Sequence, residues 1–481
     1  MANPAHLPNS FLGSITRIVL AVEEWFTAFI ILMSTSAFID LYSDAGYEWV
    51  PRLNFYMWKL IVIAAVSFMV LRWQRVLPQL MNGKFLLAFI GILWISQYWS
   101  IASNETKTSA TVVIESTLIG IYIATRYSFK EQTKLFTLVF GLISVLSIFY
   151  VFALPNLGKM YGAGVSGDLL GTWRGIYRHK NILGRVITVG GIFLLIAPLN
   201  NSKNKIINWL IFLISFQLLI GTNSKTALLG FLFIVSISPI ARVFRWNPSV
   251  GIPLYLSTMI LGGVGAVFLG DNWDSALASI DKDPTLNGRL PIWEIMMDRI
   301  QERPWLGYGY GAFWQGWTGK YSAPIWRTIV WKPGHAHNGF IDLLVELGII
   351  GTLIFSIAFF DALLKSINRI RYTQSFDSMW PLGFMTFYVI MNQTQTALIS
   401  PHNIQWLLFV VICFTSINPE QNYRCGGPRG SPLSEGSEFS SWEPNCGENI
   451  RSNTNVDDFL PPRQLHPGRK RTRRRDVFGT G

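Results

Sequence analysis

Apolar stretches long enough to cross a bilayer, or nearly so, recur along the chain between short polar breaks. They centre on 18–41, 55–71, 85–101, 109–125, 134–154, 181–199, 206–221, 224–241, 250–270, 338–364, 379–397 and 404–418. Hydrocarbon offers no partner to backbone N–H and C=O groups, and a helix satisfies them within itself. The pattern therefore predicts an all-α polytopic membrane protein with about twelve transmembrane helices. Its softest segments are the short pair at 206–241, joined by Gly221-Thr222-Asn223, and the polar stretch around Asn392-Gln393. Residues 1–14 carry no basic run, and no A-x-A-like site follows the first apolar stretch, so the first helix is expected to stay as an uncleaved anchor.

Basic residues orient this arrangement. With the N-terminus inside, the five short cytoplasmic loops hold Arg72, Arg75 and Lys84; Arg126, Lys130 and Lys134; Lys203 and Lys205; Arg242 and Arg245; and Lys365, Arg369 and Arg371. The short outer loops hold only Arg52, Lys107 and Lys225, and thirteen against three supports the orientation. Two connections, 155–180 and 271–337, fall outside. The second, a long periplasmic loop before the last three helices, carries seven basic and seven acidic residues, and long loops escape the positive-inside bias. Within it Pro291 opens a helix that Pro304 stops, with Ile292, Met296 and Ile300 on one face. That helix either lies on the membrane surface or packs on its own loop. Trp305 to Gly311, W-L-G-Y-G-Y-G, follows as an aromatic turn region.

Only 14% of residues are charged and 50% are hydrophobic, against about 25% charged in soluble chains. The net charge of +12 belongs with cytoplasmic loops facing anionic lipid, and nucleic acid is not an expected partner. Cys413, Cys425 and Cys446 lack metal-ligand spacing, so neither zinc nor a disulfide framework is indicated. Residues 1–418 form the expected transmembrane domain. Residues 419–481 are rich in Gly, Ser, Pro and Asn, end in a basic cluster, and are expected to be a disordered cytoplasmic tail touching anionic lipid.

Three constellations could carry chemistry. Arg174, Arg178, Asn181 and Arg185 are spaced four, three and four, so on a helix they would share a face, beside His179 and Lys180. Arginines snorkelling to headgroups explain one such residue. Four cations in twelve positions on the outer side favour a site for phosphate or pyrophosphate. Arg289 follows the Asn287-Gly288 turn and either closes a loop or aims at the same anion. His335, His337 and Asn338 open an apolar helix that continues through Asp342 and Glu346. Asn338 suits an N-cap, and the two acids form a polar stripe that wants partners. Glu346 suits an outer arginine as partner somewhat better than it suits catalysis. His337 is either a packing residue or a base at the water boundary. Lys225 adds positive charge at a helix start. Asp281-Lys282-Asp283 reads as a solvated loop rather than a metal site.

The segment W-R-G-I-Y-R-H-K-N-I-L-G at 173–184, T-N-S-K-T at 222–226, N-G-R at 287–289 and H-N-G-F-I-D-L-L-V-E-L-G-I-I-G at 337–351 together resemble the O-antigen ligase and polymerase family. The first segment is most similar to its exopolysaccharide-polymerase branch, the succinoglycan type. The resemblance covers most of 80–418. It implies a glycosyltransferase of the bacterial inner membrane that works on the periplasmic side, without metal or cofactor and with inversion, on a sugar chain linked to undecaprenyl pyrophosphate. It implies functional roles for Arg174, Arg289 and His337; beside them Arg178, Lys180, Asn181, Arg185, Lys225, His335 and Asn338 are the expected substrate-binding residues, with Asp342 and Glu346 in support. Many members carry Arg where this chain has Lys225. Expected partners are the lipid-linked oligosaccharide and membrane lipid, with a flippase and a chain-length regulator. A ligase that moves the chain to another acceptor, and a transporter of the same lipid, are the competing readings. Polar groups clustered at the outer ends weigh against the transporter.

Overall fold

The hydrophobic periodicity resolves into helices throughout the computed structural model. It describes residues 11–416 except 45, 162–166, 201–203, 247–248, 258–259, 262–288, 330–331, 374 and 401, and side chains also not at 11–16, 44, 168 and 236–246. These residues lie in one compact unit, Met1–Gly427. The expected tail at 419–481, Asp281-Lys282-Asp283 and Asn287-Gly288 fall outside the described residues.

Among the described residues the fold is all-helical, with one isolated bridge between Lys159 and Trp173. Six helices are long and apolar enough to cross a membrane: Trp49–Leu71, Trp73–Tyr98, Ser103–Arg126, Phe129–Ala153, Lys180–Leu199 and Gly339–Tyr372. The chain is a multi-pass membrane protein. Shorter apolar helices, Lys205–Gly221, Lys225–Val235 and Ile404–Phe414, pack among them. Local chemistry sets several boundaries. Ser128 and Glu131 form a reciprocal capping box at the start of Phe129–Ala153. Asn338 caps Gly339–Tyr372 by accepting from Phe340 N and Ile341 N.

Two apparent spans are interrupted. Gly348 inside Gly339–Tyr372 has φ 63° and ψ −167°, which breaks the helical ladder. The freed groups are met by the aromatic loop before it. Tyr308 N and Gly309 N donate to the carbonyls of Val345 and Glu346, while Ile349 N and Ile350 N donate to Pro304 and Trp305. Backbone that leaves the helix at membrane depth is tolerated where protein satisfies it. A Cβ on Gly348 would stand 2.4 Å from the Trp305 carbonyl, so only glycine fits. The expected span at 379–397 likewise stops early. Its helix, Trp380–Asn392, ends at the polar residues, and an irregular stretch leads to the Asn403-capped helix Ile404–Phe414.

The helix expected after Pro291 packs on protein. The helix Arg289–Glu302 buries Ile292 and Met296 against Tyr308, Phe313, Ile325, Ile341 and Val345. It therefore packs on its own loop and on the start of Gly339–Tyr372.

Candidate functional site

Between the starts of Lys180–Leu199 and Gly339–Tyr372 lies a cavity of about 1100 Å³. Arg178, Lys180, Arg185, Lys225 and Arg289 line it, together with His179, His335 and His337. Among the described residues no carboxylate lines it. Five cations from three separate segments face one volume, a concentration of positive charge that in a low-dielectric setting suits an anion.

Each wall has a local cause. His179 caps Lys180–Leu199, its Nδ1 accepting from Asn181 N at 3.2 Å. Lys180 is buried, and its Nζ donates to Asn223 O at 3.4 Å. That carbonyl belongs to the Thr222–Ser224 turn between two short helices, where Asn223 takes φ 48°, a conformation asparagine tolerates. The turn thereby brings Lys225 to the cavity.

His335 and His337 sit on a turn clamped at its central peptide. Ala336 N donates to both oxygens of Asp342, at 3.1 and 3.0 Å, and Ala336 O accepts from Trp293 Nε1 at 2.9 Å. Asp342 is buried and also accepts from Trp314 Nε1 at 2.8 Å and Thr396 Oγ1 at 2.5 Å. The His335 Nδ1 lone pair accepts from His337 N at 3.2 Å, and the two rings lie 4.1 Å apart. His337 itself holds φ 54°, a left-handed conformation that costs a non-glycine residue of order 1–3 kcal/mol unless its surroundings fix it. The clamp on one side and the Asn338 cap on the other do so.

Burial, then His335 and Arg289, hold the His337 imidazole down at about 3. Burial, then Arg185 and Arg289, lower His335. Burial, then Lys180 and three arginines, lower His179. All three imidazoles are neutral near pH 7 and keep a lone pair.

The expected site residues sort as follows. Arg178, Lys180, Asn181, Arg185, Lys225, Arg289, His335 and His337 come together in the cavity. Arg174 does not line it: its Nε donates to Leu157 O at 2.8 Å, and its terminal nitrogens reach the Arg178 and Asn156 carbonyls. The four-three-four face is corrected too. Helix begins only at Lys180, because Gly175 takes φ 57° against Ser147, so Arg174 and Arg178 precede it in a turn. Asn338 caps rather than lines. Asp342 reaches the Ala336 amide rather than an imidazole. Glu346 lies by Gly311 and Asp342.

Thr394, Gln395 and Thr396 also line the cavity and were not picked out from the sequence. Their signal was the polar run at 392–396 inside an apolar span.

Residues 210–356 match the family described as O-antigen ligase. That range holds Lys225, Arg289, the histidine turn and Asp342, and leaves out Arg174 to Arg185. The chain is similar to the exopolysaccharide production protein ExoQ of Rhizobium meliloti, at 25% identity over 365 residues, 72% of this chain and 79% of the relative. It is also similar to a Rickettsia conorii protein provisionally named a polysaccharide ligase, at 22% identity over 316 residues, 63% of this chain and 72% of the relative.

Proposed function

The chain belongs to the O-antigen ligase-like family, and we propose that it polymerises oligosaccharide repeat units carried on undecaprenyl pyrophosphate. The observation that carries the reading is the single cavity joining five cations to a base-competent histidine. In the proposed reaction an acceptor hydroxyl attacks the anomeric carbon of the donor sugar. A new glycosidic C–O bond forms, the bond to pyrophosphate breaks from the opposite side, and the configuration inverts. His337 takes the hydroxyl proton, a contribution of about 10²–10⁴ in rate. The departing lipid pyrophosphate gathers negative charge, which Arg178, Lys180, Arg185, Lys225 and Arg289 neutralise without reorganising. Loss of one such preorganised donor typically costs about 10²–10³.

The low pKa of His337 gives this scheme an order. In the empty cavity the imidazole is a weak base. An arriving pyrophosphate offsets the nearby cations and favours imidazolium, so the donor's own charge raises the basicity of the residue that must accept a proton. Arg174 takes the role of a positioning residue, holding the 156–158 turn against the arginine segment.

In this reading the cavity faces the periplasm from an inner-membrane domain of about twelve spans, 1–418, with both termini cytoplasmic. The bias of loop lysines and arginines supports that orientation. The likeness to an exopolysaccharide production protein favours polymerisation; the likeness to the Rickettsia protein favours a ligase that passes the chain to another acceptor.

The deciding experiment gives the purified full chain undecaprenyl-pyrophosphate repeat units in the presence of a chelator. Lengthened products are expected, and His337→Ala should abolish them in a protein that still inserts and melts normally. Near-normal lengthening by that variant removes His337 as base. Lipid movement across a vesicle without lengthening replaces the enzyme with a transporter.

A further inference from the structure

A second cavity, of about 820 Å³, opens among the helices Phe129–Ala153, Lys180–Leu199 and Lys205–Gly221. It lies at the far end of Lys180–Leu199 from the cationic site. Its wall reaches Leu194, Ala197 and Asn200, whereas the cationic site uses Lys180 to Arg185, ~20 Å away at 1.5 Å per residue.

The cavity is graded along its length. At one end stand Lys130 and Lys134, both exposed and one helical turn apart, with Asn200, Asn208 and Asp377 opposite. Beyond them the same helix face presents Leu138, Leu142 and Val145, which are 48%, 42% and 45% exposed on the flank of a membrane protein. From Lys134 to Val145 the groove runs ~16 Å, about the depth of one ~15 Å leaflet.

From this geometry we propose that the groove is a specific site for one anionic phosphoglyceride with a hydroxylated headgroup, of the phosphatidylglycerol type. The phosphate sits between Lys130 and Lys134, and one acyl chain lies along Leu138, Leu142 and Val145. Charge supports this occupant over a zwitterionic one. Among the described lining residues two lysines and one aspartate leave the polar end at net +1, which a lipid of charge −1 neutralises. The hydroxyls have partners as well. Asp377 already accepts from Asn200 Nδ2 at 2.6 Å and Ser375 Oγ at 2.9 Å, and it keeps acceptor capacity for a further O–H. A point-charge lysine pair suits a phosphodiester, and neutral amides beside it suit a polyol. The site is independent of the proposed transfer reaction, since it shares no residue with the cationic cavity.

The test is equilibrium binding of fluorescent phosphatidylglycerol to the full-length protein in neutral detergent. Phosphatidylethanolamine, undecaprenyl phosphate and inorganic phosphate serve as competitors. Unlabelled phosphatidylglycerol should compete best. The double variant Lys130→Gln/Lys134→Gln should bind about 30-fold more weakly, from about 1 kcal/mol per surface lysine and tenfold per 1.4 kcal/mol. Arg75→Gln/Arg371→Gln removes the same charge elsewhere and should stay within about threefold. Leu142→Trp, which fills the trough and spares both lysines, should weaken binding independently of charge. Equal competition by phosphatidylethanolamine overturns the headgroup assignment. Displacement by inorganic phosphate alone makes this a free-phosphate site, and stronger competition by undecaprenyl phosphate makes it a polyprenyl site; either overturns the proposal. Wild-type affinity in the lysine double variant does so outright.

Discussion

The clamp on the Ala336 peptide can be tested through Asp342, which touches neither the cavity nor any histidine ring. Its carboxylate takes three donors: the Ala336 amide, the Trp314 indole and the Thr396 hydroxyl. Asp342→Ala leaves the two N–H groups without an acceptor in a buried place, at about 1–3 kcal/mol each. Asp342→Asn is the sharper change. An oxygen in the Oδ1 position keeps Trp314 at 2.8 Å and Ala336 at 3.1 Å. The new NH₂ then stands where Oδ2 accepted from Ala336 N at 3.0 Å, donor against donor. The hydroxyl of Thr396 can rotate to accept; the backbone amide cannot. The strain thus concentrates on the one peptide that joins His335 to His337. Losing a charge-assisted hydrogen bond there costs about 1.5–3 kcal/mol, less than the alanine change. A displacement of about 1 Å at the base corresponds to about 10² in rate. In the chain-lengthening assay Asp342→Asn should therefore lower kcat by about 10²-fold and leave KM within a few fold, because the cations proposed to bind the donor are untouched. Its melting temperature should fall less than that of Asp342→Ala. Combined with His337→Ala, it should add almost nothing, since two residues acting as one unit are not additive. A kcat within threefold of wild type, or a fully additive double variant, would refute the clamp.

Two further outcomes are expected. His337 is already neutral down to about 3 in the free protein, so the acid limb of kcat/KM should show no His337 contribution near the ordinary histidine value of about 6.5. The acid limb of kcat should lie at higher pH than that of kcat/KM, because bound pyrophosphate stabilises imidazolium; coincident limbs near 6.5 in both profiles would contradict this electrostatic picture. Gly348→Ala should strongly destabilise the fold and expose the loop at 303–311 to protease, since its Cβ meets backbone rather than a movable side chain. Unchanged melting and protection would show that the break at Gly348 is not fixed by the loop.

The sequence made legible those features that depend on neighbours in the chain. Apolar runs located the helices, Asn338 announced a cap, and the polar run at 392–396 marked a weak span that proves to be an interruption. Face-sharing along 174–185 failed because a helical period was applied to residues that are not helix; Gly175 and the His179 cap move the start to Lys180. The fate of the amphipathic segment at 289–302 could not be read from its own pattern, because a face that packs on protein and a face that packs on lipid are equally apolar. The indole bonds of Trp293 and Trp314 to Ala336 and Asp342 join residues 28 to 43 positions apart. No local rule reaches that far.

The cavity depends on backbone that has left regular structure. His337 and Asn223 are both left-handed and both line it, and Thr394 to Thr396 reach it only because Trp380–Asn392 stops short. A regular helix binds its own N–H and C=O groups and offers a membrane site only side chains. Each interruption here frees backbone or short polar side chains at membrane depth, and each is met by protein: Gly348 by the aromatic loop, Ala336 by Asp342 and Trp293, and the Asn392 break by the Ala397 amide, which donates to its Oδ1 at 2.8 Å. The charged wall therefore rests on a frame whose own polar groups are satisfied. Its five lining cations are thereby held around one volume, which is what a preorganised anion site requires. It follows that substitutions in the frame should lower kcat before they alter donor binding, whereas substitutions among the lining cations should alter both.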